Sequence, residues 1–231
     1  KGCNVWDLDN NKFIDMSLMS VGTNILGYSR KEIDDSVHQT IQKGNMSTLN
    51  CPEEVELADK LTKLHDWSDM AKFARTGGEA NAIAIRIARA YSKRDKVAIC
   101  GYHGWHDWYL SMNIGDKDGL EKHLMSGLDP AGVPQNLENT VFSFNYNNYE
   151  ELNGILSKHE IGVIKMEVIR SSPPENDFLQ KIRKVCDEKD IVLIFDECTT
   201  GFRETFGGIH KKYDVSPDMA IFGKALGNGY A

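Results

Sequence analysis

From about residue 96 onward the chain alternates between short, nearly continuous apolar runs and longer stretches with helical spacing. The runs are Lys96–Cys100, Thr140–Tyr146, Ile161–Glu167, Ile191–Asp196 and Met219–Gly223. Their β-branched content and short length predict strands buried on both faces. Tyr149–Lys158 and Asp177–Lys189, lying between them, predict helices. The alternation begins near Met70, where Ala71–Arg75 reads as a short strand and Glu79–Tyr91 as a helix. Ala80, Ile83, Ala84, Ile87, Ala88 and Tyr91 fall on one stripe of that helix, which must pack on a sheet. The expectation is an α/β fold with a mostly parallel sheet and helices on both faces, a three-layer α/β/α arrangement.

The first seventy residues have another texture. Val5 to Met16 holds two short strand-like runs around a polar turn, a hairpin. Two helices follow, at about Arg30–Lys43 and Glu53–Leu64, with Pro52 placed where proline suits a helix start. Gly101 to about Asn139 is irregular and aromatic, and Ser171–Pro174 is a loop. There is no internal repeat and no low-complexity linker. The chain opens inside a hairpin and stops in a glycine loop just after a strand, so we expect the protein to continue at both ends.

Composition narrows the partners. With 27 Lys and Arg against 34 Asp and Glu, the net charge is −7, whereas a nucleic-acid groove needs a basic footprint. Nor does this balance favour an anionic membrane surface, and no apolar run nears the roughly 20 residues of a membrane span. The expected partners therefore include neither nucleic acid nor membrane. Five widely spaced cysteines without a CxxC pair read as reduced thiols of a cytoplasmic protein rather than disulfides or a zinc site.

Four places could carry chemistry. Thr76-Gly-Gly-Glu-Ala80 opens a helix, where free N–H groups and the positive dipole end make an anion cup, unless the glycines merely make a tight turn. The run Ile191–Phe195 leads into Asp196-Glu197 at a strand's carboxyl end, where open α/β sheets bind ligands. Apolar strand plus two acids also resembles the magnesium strand of P-loop ATPases, but no G-x-x-x-x-G-K-[ST] string exists here. Lys224, between Gly223 and Gly227 and just after a strand, is either a solvated loop lysine or a desolvated one able to form Schiff bases. In Gly101-Tyr-His-Gly-Trp-His-Asp107 the aromatics could be a platform for a planar ligand or loop packing; the spacing of His103, His106 and Asp107 matches no metal pattern.

Taken together and in this order, these pieces resemble the class III aminotransferases of the fold-type-I pyridoxal phosphate enzymes, in the branch near glutamate-1-semialdehyde aminomutase. The carrying residues are Trp6–Asp15, Ile25–Tyr28, Thr76–Ala80, Tyr102-His-Gly104, Asp196-Glu-Cys-Thr-Thr-Gly-Phe-Arg203 and Lys224. The resemblance implies a fold-type-I large domain at residues 46–231, led into by a hairpin and helix at 1–45, with the small C-terminal domain absent. It implies the cofactor pyridoxal 5'-phosphate, an amino donor and a carbonyl acceptor as small-molecule partners, and a homodimer with shared active sites.

By the same resemblance Lys224 holds the cofactor as a Schiff base and shuttles protons, while Asp196 pairs with the ring nitrogen. Thr76, Gly77 and Gly78 bind the phosphate, Tyr102 stacks on the ring, Cys198 packs on its other face and Glu167 faces the pocket. His103 is expected to support Tyr102. Gly78 stands where the family has threonine, so threonine there should be tolerated, and Cys198 stands for valine. The reaction implied is amino-group exchange. Intramolecular transfer by an aminomutase is an alternative, set back because a Ser-Trp-Gly stretch is missing around Ser17–Ser20. A non-catalytic binding or regulatory protein on the same fold is a further one.

Overall fold

A computed structural model describes residues 1–44, 48–115, 119–121, 123 and 129–230. The chain opens with the expected hairpin, β1 (Asn4–Trp6) paired antiparallel with β2 (Lys12–Ile14). Its turn is organised by Asp7, whose Oδ1 accepts the N–H groups of Asp9 and Asn11. Helices α1 (Lys31–Lys43) and α2 (Pro52–Leu64) follow, with Pro52 at the first helical position, where its missing N–H costs nothing. Helix α3 (Gly77–Ser92) starts one turn's edge earlier than the apolar stripe suggests, because Thr76 caps it.

Five strands then form one all-parallel sheet. They are β3 (Lys96–Cys100), β4 (Val141–Ser143), β5 (Ile161–Glu167), β6 (Val192–Asp196) and β7 (Met219–Ile221), in the order β4-β3-β5-β6-β7. Helices α4 (Tyr149–Lys158) and α5 (Phe178–Lys189) lie between strands in sequence. Ala71–Arg75 is not a strand: it joins no described ladder, and Phe73 stays 38% exposed. Alternation marks a strand only where a sheet edge is there to pair with it. The run Thr140–Tyr146 yields three ladder residues, because beyond Phe144 the Glu151 carboxylate accepts both N–H groups of Asn145 and turns the chain away.

The pleat divides the core in two. Val97, Ile99, Val163, Val192, Ile194 and Ile221 pack under Ala84, Ile85 and Ala88 of α3. Ala98, Cys100, Ile164, Met166, Leu193 and Phe195 pack against Leu152 and Leu156 of α4 and Leu179, Ile182 and Val185 of α5. Each fully buried large side chain here contributes about 1.5–3 kcal/mol, so Leu193→Ala removes about 2–5 kcal/mol. No helix among the described residues is long and apolar enough to cross a membrane.

Strand order places the site. From β3 the chain goes outward to β4 and returns on the other side as β5, so the order in which successive strands are added reverses between β3 and β5. Ligands of such sheets bind outside the strand carboxyl ends at that reversal. Because all five strands are parallel, that single edge receives Gly101–His103, Glu167, Asp196 and Gly223-Lys224. The segment after the hairpin reaches the same edge: Leu26 N–H donates to Asn228 Oδ1 at 2.9 Å, Tyr230 donates to Asp34 at 2.8 Å, and Arg203 donates to Gly22 O.

Candidate active site

Asp196 is the last residue of β6 and only 4% exposed. Its Oδ2 accepts the Nδ1–H of fully buried His103 at 2.9 Å, and its Oδ1 accepts the Cys198 N–H at 3.1 Å. Lys165 Nζ, also fully buried, stands 3.8 Å from Oδ2. Burial alone would raise the carboxyl pKa; the Lys165 ammonium and the His103 hydrogen bond overcome it and hold Asp196 well below the usual carboxylate range. Burial pushes His103 the other way, down to about 4 despite the bond to Asp196. The pair is thus a carboxylate and a neutral imidazole. His103 stands at Asp196 and packs edge-on to Tyr109, with ring centroids 5.7 Å apart, rather than bracing Tyr102.

The helix entrance lies beside them. Thr76 Oγ1 accepts the Glu79 N–H at 3.1 Å, and the Glu79 carboxylate reaches back to the Arg75 N–H at 2.8 Å, a capping box displaced by one residue. The N–H groups of Gly77 and Gly78 precede the first intrahelical bond, and the Thr76 hydroxyl keeps its proton to donate. A Cβ on Gly78 would lie 2.9 Å from the His106 ring. Threonine at 78 is therefore tolerated only if exposed His106 swings aside, a condition the sequence did not disclose.

Cys198 links this loop to the lysine. Its Sγ lies 3.5 Å from where a Cβ would sit on Gly77, and equally from Gly223. Burial raises its thiol pKa, so the sulfur is a neutral packing group. Lys224 sits at φ 46°, a left-handed conformation uncommon outside glycine, and its Nζ donates to Thr199 Oγ1 at 2.8 Å. Tyr102 is 39% exposed, with its ring edge-on to Tyr109. Glu167 is buried; its Oε2 accepts the Tyr102 N–H at 3.3 Å and faces Arg170 Nε at 3.6 Å. Burial raises its pKa and Arg170 opposes the rise. Gly101 at φ +113° is obligatory here, as a Cβ would come within 2.4 Å of Glu167 Oε2.

The sheet edge thus gathers every candidate, from Thr76, Gly77 and Gly78 through Tyr102, His103, Glu167, Asp196 and Cys198 to Lys224. Two neighbours escaped the sequence reading. Thr199 sat unremarked inside the Asp196–Arg203 motif. Lys165 carried a signal, a charge inside the apolar run Ile161–Glu167 ahead of its terminal acid. Among the described residues no group of three or more His, Cys, Asp or Glu side chains could hold a metal ion; His103 turns inward while His106 stays at the surface over Gly78.

Comparison with known proteins supplies the class. The fold is that of fold-type-I transaminases: an omega-transaminase from Sphaerobacter thermophilus superposes with a TM-score of 0.86 at 25% identity, over 100% of this chain and 54% of that one. The family model for aminotransferase class-III matches residues 1–231, and the chain belongs to that family. It is 35% identical over 240 residues to a 3-aminobutyryl-CoA aminotransferase of Cloacimonas acidaminovorans, covering 100% of this chain and 54% of that protein. It is also 35% identical over 236 residues to a glutamate-1-semialdehyde 2,1-aminomutase of Campylobacter hominis, covering 99% and 51%. The chain spans about half the length of the curated relatives it matches.

Proposed function

We propose that residues 46–231 form the cofactor-binding domain of a pyridoxal phosphate-dependent aminotransferase that exchanges an amino group between an amine or amino acid and a carbonyl compound. One observation carries this reading: an ionised buried carboxylate, a glycine-opened helix entrance and a lysine converge on one sheet edge, with Cys198 between the last two. These residues fit pyridoxal 5'-phosphate. Asp196 offers a charge-assisted acceptor to a protonated ring nitrogen, and the N–H groups of Gly77 and Gly78, with the Thr76 hydroxyl, suit the phosphate. Tyr102 and Cys198 would bound the two ring faces, with Glu167 at the pocket wall.

When bound, the cofactor supplies an electron sink for a bond broken at the amine-bearing carbon. The chain's own part is to hold the ring and move one proton. His103 keeps Asp196 oriented and ionised. Lys224 Nζ carries the proton at the substrate carbon, and Thr199 aims it through its hydroxyl. Borohydride reduction of the full-length protein followed by peptide mapping should place the pyridoxyl label on Lys224. Label on any other lysine would overturn the assignment.

The relatives named aminomutases support a second reading, transfer within one molecule. Turnover of a semialdehyde without a separate amino donor selects it; dependence on a donor selects the aminotransferase. We place the protein in the cytoplasm, where the buried thiols of Cys100 and Cys186 would stay reduced. We also propose a homodimer with shared sites, since two glycine N–H groups and one hydroxyl are few donors for a phosphate of about −1.5 to −2 charge. Full-length protein that sediments as a monomer and retains cofactor would exclude the dimer.

A further inference from the structure

Lys165 lies in the middle of β5 with no exposure to solvent. Across the sheet it is flanked by Ile99 and Ile194, and along its own strand Val163 and Glu167 share its face. The helix packed over that face, α3, buries Asn81, Ala84, Ile85 and Ala88. An apolar side chain would suit this place better, because an ammonium taken out of water is costly unless it is paired and hydrogen-bonded. Yet Lys165 Nζ makes no hydrogen bond to any described residue. The anion beside it is Asp196, with Oδ2 at 3.8 Å, and that same oxygen already receives the His103 N–H. A cation has been set beside a sheet-edge carboxylate that already accepts the N–H of a neutral imidazole.

Resting on the reading that Asp196 meets the cofactor's ring nitrogen, we infer that Lys165 is a positioning residue acting through Asp196, which weakens the carboxylate's hold on the ring-nitrogen proton. The physics is that of like charges sharing one counter-ion. Asp196 attracts a proton on the ring, and Lys165, on the same oxygen, partly cancels that attraction. The groups that feel one another come from three strands and the loops beyond them: His103 after β3, Glu167 on β5, Asp196 and Cys198 on β6 and just past it. His103 already responds, since Lys165 is among the influences that lower its pKa. In this arrangement the ring is less completely protonated than beside a carboxylate of undivided charge. Lys165 thereby sets how strongly the ring withdraws electrons.

The test uses full-length holoenzyme reconstituted with cofactor labelled with 15N in the ring and grown with 15N-histidine. K165M keeps the length of the side chain and removes its charge; K165Q serves if K165M fails to fold. The protonation midpoints of the ring nitrogen and of His103 should both rise by about one pH unit or more, as expected when a charge within 4–6 Å is removed. D196N separates the two layers of the argument. If D196N leaves the ring signal unchanged, the ring does not sit at Asp196 and the functional reading fails. If D196N moves it while the lysine variants move neither midpoint, Lys165 only fills space and the inference is overturned.

Discussion

Asp196 and Glu197 are adjacent acids, both buried and both bonded to a histidine, yet they serve opposite ends. Asp196 receives His103 at 2.9 Å and Glu197 receives His210 at 2.8 Å. Glu197 itself is fully engaged. Its oxygens also accept the N–H groups of Ile209 and His210 and the Thr200 hydroxyl, while His210 Nε2 accepts the Trp67 indole N–H at 3.3 Å. Beside Asp196, His103 Nε2 and Lys165 Nζ both lack hydrogen-bond partners among the described residues. One carboxylate ties the Gly208–His210 turn to β6; the other is the one we propose meets the cofactor. Acidity and burial do not separate a structural acid from a functional one. What differs is how many donors among the described residues each carboxylate has taken: four at Glu197 and two at Asp196.

The sharpest way to break this contrast is to remove Glu197. Glu197→Ala strands two buried backbone N–H groups and a histidine, and should lower unfolding free energy by about 3–5 kcal/mol in urea titration. Asp196→Asn keeps an oxygen for His103 but leaves the Lys165 ammonium without its counter-ion, so its urea midpoint should fall as well, by less than that of Glu197→Ala. Its turnover should fall roughly 10²–10³-fold, the scale seen when one preorganised electrostatic partner of a reacting group is lost. If the stability losses are reversed, the two acids have been assigned the wrong way round.

A smaller effect follows from pH. His103 has a folded pKa of about 4, below its ordinary 6.5, so the unfolded chain takes up its proton first. Stability is intact above pH 6.5 and declines as pH falls toward 4, by at most about 1.4 kcal/mol per pH unit from this group. His65, also pushed down chiefly by burial, adds to the same slope. Asp196 acts lower: its folded pKa is depressed, so its contribution is present above the unfolded value of 3.8 and drains away only below it. His103→Gln should flatten stability between pH 6.5 and 4, measured by thermal unfolding across that range, and an unchanged slope would mean the imidazole is not held neutral.

Much of this was legible in the chain itself. Long apolar runs announce a doubly covered parallel sheet, and ligand residues follow those runs at their carboxyl ends, which is why Asp196, Tyr102 and Lys224 could be named. Three things were hidden, each for a physical reason. The residue pattern marks Asp196 and Glu197 alike, because which of two adjacent acids faces the sheet edge depends on pleat parity; the resemblance alone singled out Asp196. Lys165 is informative only once its cross-strand neighbours Ile99 and Ile194 are known to close around it. Ala71–Arg75 has the rhythm of a strand without a partner to pair with, and rhythm carries no information about partners.

The all-parallel order of the sheet also dictates when the site can exist. Parallel neighbours need long crossovers, so the groups that meet at the sheet edge are far apart along the chain, from Thr76 to Lys224. Such non-local pairing is slow, because loop closure must precede the contacts that reward it. Strand β7, which delivers Lys224, is held to β6 through only three paired positions, Met219 to Ile221. During synthesis the helix entrance and the carboxylate emerge well before the lysine, and the edge is completed only when this short strand docks. A cofactor gripping both the α3 entrance and Lys224 would then act as a clasp on the docking of β7, stabilising that pairing by mass action. Cofactor supply would thus govern the yield of folded chains as well as their turnover.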